Sequence, residues 1–262
     1  MPTIYDNVIV LIPFLFGAVV GSFLNVCIYR LPAGLSIVSP PSRCSTCGSG
    51  VAFYDNIPIL SYILLRGRCR SCGAQFSVQY PFVEALTGVF AALLFYVYGV
   101  SPEFFVYFAF TASLIVITFI DLEHRIIPDV ISLPGIPIGF AASFFLAAPG
   151  VVDSAIGIAL GGGLLLGISY SYYLLTKREG MGGGDIKLLA MIGAFLGWKG
   201  VIVTVLFSSL VGAVIGGGLI VMSGKKGRYA IPFGPFLAAA ALLHLFLGDS
   251  IIGWYIRHAV GE

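Results

Sequence analysis

The chain has 262 residues, of which 58% are hydrophobic and only 10% charged, and its mean hydropathy is +1.01. Soluble domains carry about 25% charged residues, so the composition excludes an ordinary soluble protein and points to one built in a bilayer. The net charge of +2 carries no signature of a nucleic-acid partner, and none is expected.

Residues 1–28 open the chain with an apolar run that lacks a basic leader and a small-residue cleavage site, so they read as a retained first transmembrane helix. A crossing needs about 20 apolar residues. Seven further candidates follow, at roughly 81–100, 103–121, 126–147, 152–175, 185–198, 201–222 and 232–252. The expected fold is therefore an all-α polytopic membrane protein of about eight transmembrane helices. It divides into a first helix (1–28), a small loop domain between helices 1 and 2 (29–80) and a seven-helix portion (81–262). Glycine-rich runs at 157–167 and 211–220 read as close helix packing.

Lys and Arg set the orientation. With 29–80 and the turns near 122–125, 176–184 and 223–231 on one face, that face gathers most of the 14 basic residues. Arg178, Lys225, Lys226 and Arg228 are among them. The opposite face keeps only Lys199 and Arg257. Positive charge stays inside, so the long loop is expected in the cytoplasm and both termini outside.

The loop is too small for a core and needs a staple. "CSTC" at 44–47 and "CRSC" at 69–72 form paired CxxC motifs at about the spacing of a zinc ribbon. Cys44, Cys47, Cys69 and Cys72 are thus the expected ligands of a structural Zn²⁺, disulfides being disfavoured in the cytoplasm. Cys27, in the first helix, reads as a packing residue.

Two acids stand out. "GGGD" at 182–185 puts Asp185 behind Gly182, Gly183 and Gly184 at the start of a short apolar segment. Asp121 closes the third candidate helix at the same expected face. Each alone could be an interfacial carboxylate or helix cap. Together, two carboxylates at one level can share a proton, one activating water while the other polarises a peptide carbonyl. The glycines would supply backbone to pair with an opened substrate. Glu123 and Asp129 read as solvated or capping groups.

The stretches "GSFLNVCIYRLP" (21–32), the two CxxC pairs, "NIPILSYILLRGRC" (56–69), the Asp121 motif, "GGGDIKLLA" (182–190) and "IPFGPFLA" (231–238) resemble, in order, the bacterial type IV prepilin peptidase family. That resemblance implies an intramembrane aspartyl protease with Asp121 and Asp185 as catalytic acids. It also implies removal of basic leaders from prepilins and type II secretion pseudopilins at the cytoplasmic face of the bacterial inner membrane. Many members then methylate the new N-terminus, usually phenylalanine, with S-adenosylmethionine. The site for that cofactor is left unassigned, Asn25 being either a contributor or an interhelical hydrogen-bonding group. Lipid and the substrate segments are the expected partners, and oligomeric state is left open. A proton-coupled transporter using the same two aspartates is the alternative, although no inverted repeat is visible. A non-catalytic assembly factor and a protease for other membrane peptides are further rivals.

Overall fold

The structure, a computed structural model, describes residues 4–177, 182–223 and 232–260. Arg178, Lys225, Lys226 and Arg228, part of the basic face expected from sequence, lie outside the described residues. Eight α-helices account for most of the rest: α1 (Ile4–Arg30), α2 (Leu60–Leu64), α3 (Gln79–Tyr98), α4 (Pro102–His124), α5 (Asp129–Ala142), α6 (Val151–Thr176), α7 (Gly183–Ser223) and α8 (Gly234–Val260).

Six of these, α1, α3, α4, α6, α7 and α8, are long and apolar enough to cross a bilayer. The chain is a multi-pass membrane protein, all-helical as expected, with the cysteine-bearing segment between α1 and α3. All eight apolar runs fall on helix, but three differ in detail. The run at 126–147 shrinks to the 14-residue α5, because Pro128 holds an extended lead-in and Ser143 turns its hydroxyl back onto the Phe140 carbonyl at 2.7 Å. The runs at 185–198 and 201–222 form one element, α7, interrupted at Gly197 (φ 68°, ψ −177°). That positive φ needs glycine, and the indole of Trp198 anchors the break by donating to Asp153 Oδ1 at 3.1 Å.

The described residues form two compact units, Met1–Val116 and Ile117–Glu262. In the first, α1 lies against α3 through small residues. A Cβ added to Gly17 would meet Ala91 Cβ at 2.6 Å, and one added to Gly21 would meet Glu84 Cα at 2.7 Å. Such close approach gives the two helices van der Waals packing and backbone proximity that larger side chains would prevent. Aromatic pairs, Phe16 with Phe108 and Phe95 with Phe104, tie the first half of α4 to α1 and α3. Asn25 makes the interhelical hydrogen bond considered for it, donating to the Tyr80 carbonyl at 3.1 Å. Cys27 is buried, as a packing residue should be.

In the second unit, α7 is central. Gly157 and Gly161 of α6 face Gly193 and Leu189 of α7, backbone against backbone, and Gly139 of α5 receives the Phe195 ring. Ser154 seals the α6–α7 seam by donating to the Ala194 carbonyl at 2.8 Å. The packing role expected of the 157–167 glycines is thus carried by Gly157 and Gly161. Gly163 and Gly167 face open space.

Candidate active site and metal centre

Helix α4 ends at His124, and Arg125 follows at φ 57°. Its amide donates to the Asp121 carbonyl at 2.9 Å, closing the last turn. The left-handed step reverses the chain, and Pro128 (φ −65°, ψ 120°) then launches α5. Between these two points Ile127 projects back into the unit. It is the spacer around which two helix N-termini gather. A Cβ on Gly184, at the start of α7, would lie 2.9 Å from Ile127 Cβ. One on Gly234, at the start of α8, would lie 3.4 Å from Ile127 Cδ1.

The two acids sit around this spacer. Asp121, 5% exposed, accepts a hydrogen bond on Oδ2 from the Gly234 amide at 3.0 Å. It therefore meets the N-terminus of α8, where the helix dipole and free N–H groups favour a carboxylate. Asp185 lies half-buried in the first turn of α7, its amide bonded to the Gly182 carbonyl at 3.2 Å. Gly184, just before it, and Gly234, whose amide holds Asp121, both pack against Ile127, so the two acids belong to one compact unit and stand at helix starts that share one side chain. Such a pair can hold one proton between two carboxylates and move it to or from a bound water.

The glycines before Asp185 divide. Gly184 is needed for the close approach to Ile127, whereas Gly183 faces open space and Gly182 has only the Asp185 carboxylate, 4.0 Å from its added Cβ. Of the flanking acids, Glu123 is exposed. Asp129 is not simply solvated: both of its oxygens receive Lys187 Nζ at 2.8 Å, pinning the start of α5 to α7.

Sequence reasoning assigned no role to Gly234 or Ile127. The signal for Gly234 was present in "PFGP" (232–235), where a glycine precedes a proline suited to the first helical turn. Ile127 carried none, since one more isoleucine in a loop is silent until folded. A Cβ on Gly234 would also fall 2.6 Å from Asp121 Oδ2. Gly234→Ala should therefore push that carboxylate aside and lower kcat for any reaction the pair performs by about 100-fold, the usual penalty of a misplacement near 1 Å. Gly184→Val should instead displace Ile127 and lower thermal stability together with activity, overpacking typically costing about 1–3 kcal/mol. Rates and melting temperatures measured side by side would separate the two.

The cysteine segment repeats one small motif. The Gly48 amide donates to the Cys44 carbonyl and the Gly73 amide to the Cys69 carbonyl, both at 2.9 Å. Gly48 (φ 72°) and Gly73 (φ 74°) turn the chain back after each pair, and single bridges Arg43–Gly50 and Arg68–Gln75 close the two knuckles. All four Sγ atoms lie within 4.8 Å of one another, with Cys44 and Cys72 at 3.8 Å. Four thiolates about 2.3 Å from one tetrahedral zinc would stand about 3.8 Å apart, so the cluster can hold a single metal ion. Hydrogen bonds from the Ser49 side chain and backbone bring the Cys47 thiol down to about 6, favouring the thiolate that binds metal. Arg70 clasps Asp55 through two nitrogens at 2.6–3.1 Å. That hydrogen-bonded guanidinium keeps the Asp55 carboxyl below its ordinary range.

Two family models match the chain. The bacterial peptidase A24 N-terminal domain covers residues 15–98, and the type IV leader peptidase family covers 108–217. Proteins named prepilin leader peptidase/N-methyltransferase are similar along nearly the whole length. One from Aeromonas hydrophila is 36% identical over 98% of this chain and 96% of its own. One from Pseudomonas aeruginosa is 35% identical over 95% and 94%, and one from Legionella pneumophila is 37% identical over 93% of each. No solved structure matches the chain.

Proposed function

This chain belongs to the type IV leader peptidase family, and from that premise we propose that it removes the basic leader of prepilins and pseudopilins by a two-aspartate mechanism and then methylates the new N-terminus. The observation that supports the first half is that the helix start carrying Asp185 and the one holding Asp121, those of α7 and α8, both pack against Ile127. One carboxylate takes a proton from a water, which attacks the scissile carbonyl. The other, protonated, donates to the carbonyl oxygen as charge develops there. Collapse of the tetrahedral intermediate transfers a proton to the departing amine, with no covalent bond to the enzyme. Gly182–Gly184 supply backbone at this site, and an unwound substrate strand can lie along the open side of Gly182 and Gly183.

In the second half, S-adenosylmethionine would supply a methyl group to the freed amine, its sulfonium leaving as a neutral thioether with the S–C electron pair while the nitrogen gives up a proton to water. Cys44, Cys47, Cys69 and Cys72 bind a structural zinc, closed to water by its four thiolates. We place residues 29–80 in the cytoplasm and both termini outside the inner membrane, because basic residues crowd one face. A leader rich in Lys and Arg is retained on the face where the acids lie.

The test is purified protein in nanodiscs, a synthetic prepilin N-terminal segment and labelled S-adenosylmethionine, followed by mass spectrometry. Loss of the leader mass and gain of one methyl are expected. An intact peptide would refute the reading.

A further inference from the structure

The first compact unit contains a cavity of about 460 Å³ between the end of α1, the start of α3 and the cysteine-bearing segment. Ligand sites run from about 300 to 1,000 Å³. One wall is a buried acid. Glu84, in the second turn of the apolar helix α3 and 8% exposed, lines the cavity. Charges inside membrane helices pair with one another or mark a functional site. Neither the Arg70–Asp55 nor the Lys187–Asp129 ion pair involves Glu84, whose partners are an amide and a hydroxyl. Glu84 has Ser22 beside it, and its Oε2 accepts the amide of Ile59 at 2.7 Å.

Ile59 is itself unusual. It sits at φ 62°, ψ −51°, and the Leu60 amide reaches back to the Pro58 carbonyl at 2.6 Å. That is a γ-turn with positive φ, a strained form, made worse by a β-branched side chain. Strain of this kind persists only where surroundings over-determine it, and it clusters at ligand sites. Here it aims one N–H at Glu84 and lines the cavity. The remaining lining mixes serines, aliphatic groups and a second acid, Asp55, with rings and basic side chains. Tyr62 and Phe76 present rings, while Arg43 and Arg68 stand beside Cys44 and Cys69, fixed by the two knuckle bridges.

We propose that this cavity binds the adenosyl sulfonium of S-adenosylmethionine, with Glu84 as counter-charge to the sulfonium. The rings suit an adenine face, and the arginines suit the carboxylate of the methionine portion. A sulfonium is a permanent cation and attracts both a carboxylate and aromatic faces. The inference rests on the methyl-transfer reading above and gives that activity a place separate from Asp121 and Asp185. It also gives the metal knuckles a function, since they hold two walls of the cavity.

The experiment measures equilibrium binding of S-adenosylmethionine and of S-adenosylhomocysteine to the full chain in nanodiscs, for wild type and Glu84→Gln. The second ligand lacks the methyl group and is uncharged at sulfur. Glu84→Gln should weaken binding of the sulfonium about tenfold and of the neutral thioether less than about threefold. Equal weakening, or none, overturns the role of Glu84. Ultraviolet cross-linking of labelled S-adenosylmethionine to wild type, which needs no variant to fold, should label peptides within residues 22–84. Label beyond residue 116, with methyl transfer to a pre-cleaved peptide intact, overturns the site and leaves the methyl-transfer reading standing. Absence of both binding and methyl transfer overturns both.

Discussion

Asp121→Asn and Asp185→Asn should each lower leader cleavage by about 10⁴-fold, the upper range of what positioned proton transfer contributes. Asparagine keeps the shape of aspartate but can neither take a proton from water nor give one to a carbonyl oxygen. At position 121 its amide oxygen can still accept the Gly234 N–H now received by Oδ2 at 3.0 Å, so the helix start is preserved. Thermal unfolding should therefore be nearly unchanged while the rate collapses. The double variant should be scarcely slower than either single one, because residues acting as a unit are not additive. Methylation of a pre-cleaved peptide should survive all three substitutions. Either single variant cutting at a tenth of the wild-type rate would end the two-aspartate mechanism.

The second large effect concerns the cysteine segment. Its residues are mostly exposed, and its only regular structure is a single 3-10 turn at Phe53–Asn56, the five-residue α2 and two isolated bridges. Nothing apolar is large enough to hold it. Structural zinc contributes about 10–16 kcal/mol in small thiolate-bound domains, far more than the exposed Arg70–Asp55 pair, for which about 0–1 kcal/mol is usual. Elemental analysis should find one zinc per chain. Cys72→Ser, or a strong chelator, should release it and open 43–70 to trypsin at Arg43, Arg66, Arg68 and Arg70, leaving the helices from 117 onward intact. Because Arg43 and Arg68 flank the knuckles, methyl transfer should fall with the metal while leader cleavage declines less. Zinc-free wild type with the same resistance to trypsin would show that the cysteines do not act through a metal.

Much of this protein is written in its composition and spacing. The membrane class follows from hydropathy, because a bilayer admits only long apolar helices with every backbone group satisfied. The cysteine cluster follows from two CxxC pairs, since ligands close in sequence fold together almost regardless of the remainder. Asp185 stands out because a carboxylate beside glycines in an apolar chain requires a reason, and Asp121 because it closes a candidate helix at the same expected face. These are local signals, and local physics suffices to interpret them.

What spacing could not give is long-range contact. That Asp121 is held by the amide of Gly234, 113 positions away, depends on a reversal at Arg125 and on the fit of Ile127 between two helix starts. The reason for Gly184 changed in the same way. Its lack of a side chain is required by Ile127, a neighbour that sequence distance hides, where spacing alone suggested backbone left open to a substrate. No spacing or motif singled out Glu84, whose place beside Ile59 and the cavity belongs to the fold. Hydropathy and ligand spacing are properties of neighbouring residues and survive in one dimension. Helix-start meetings, close glycine approaches and cavities are properties of surfaces brought together, and only the folded chain decides them.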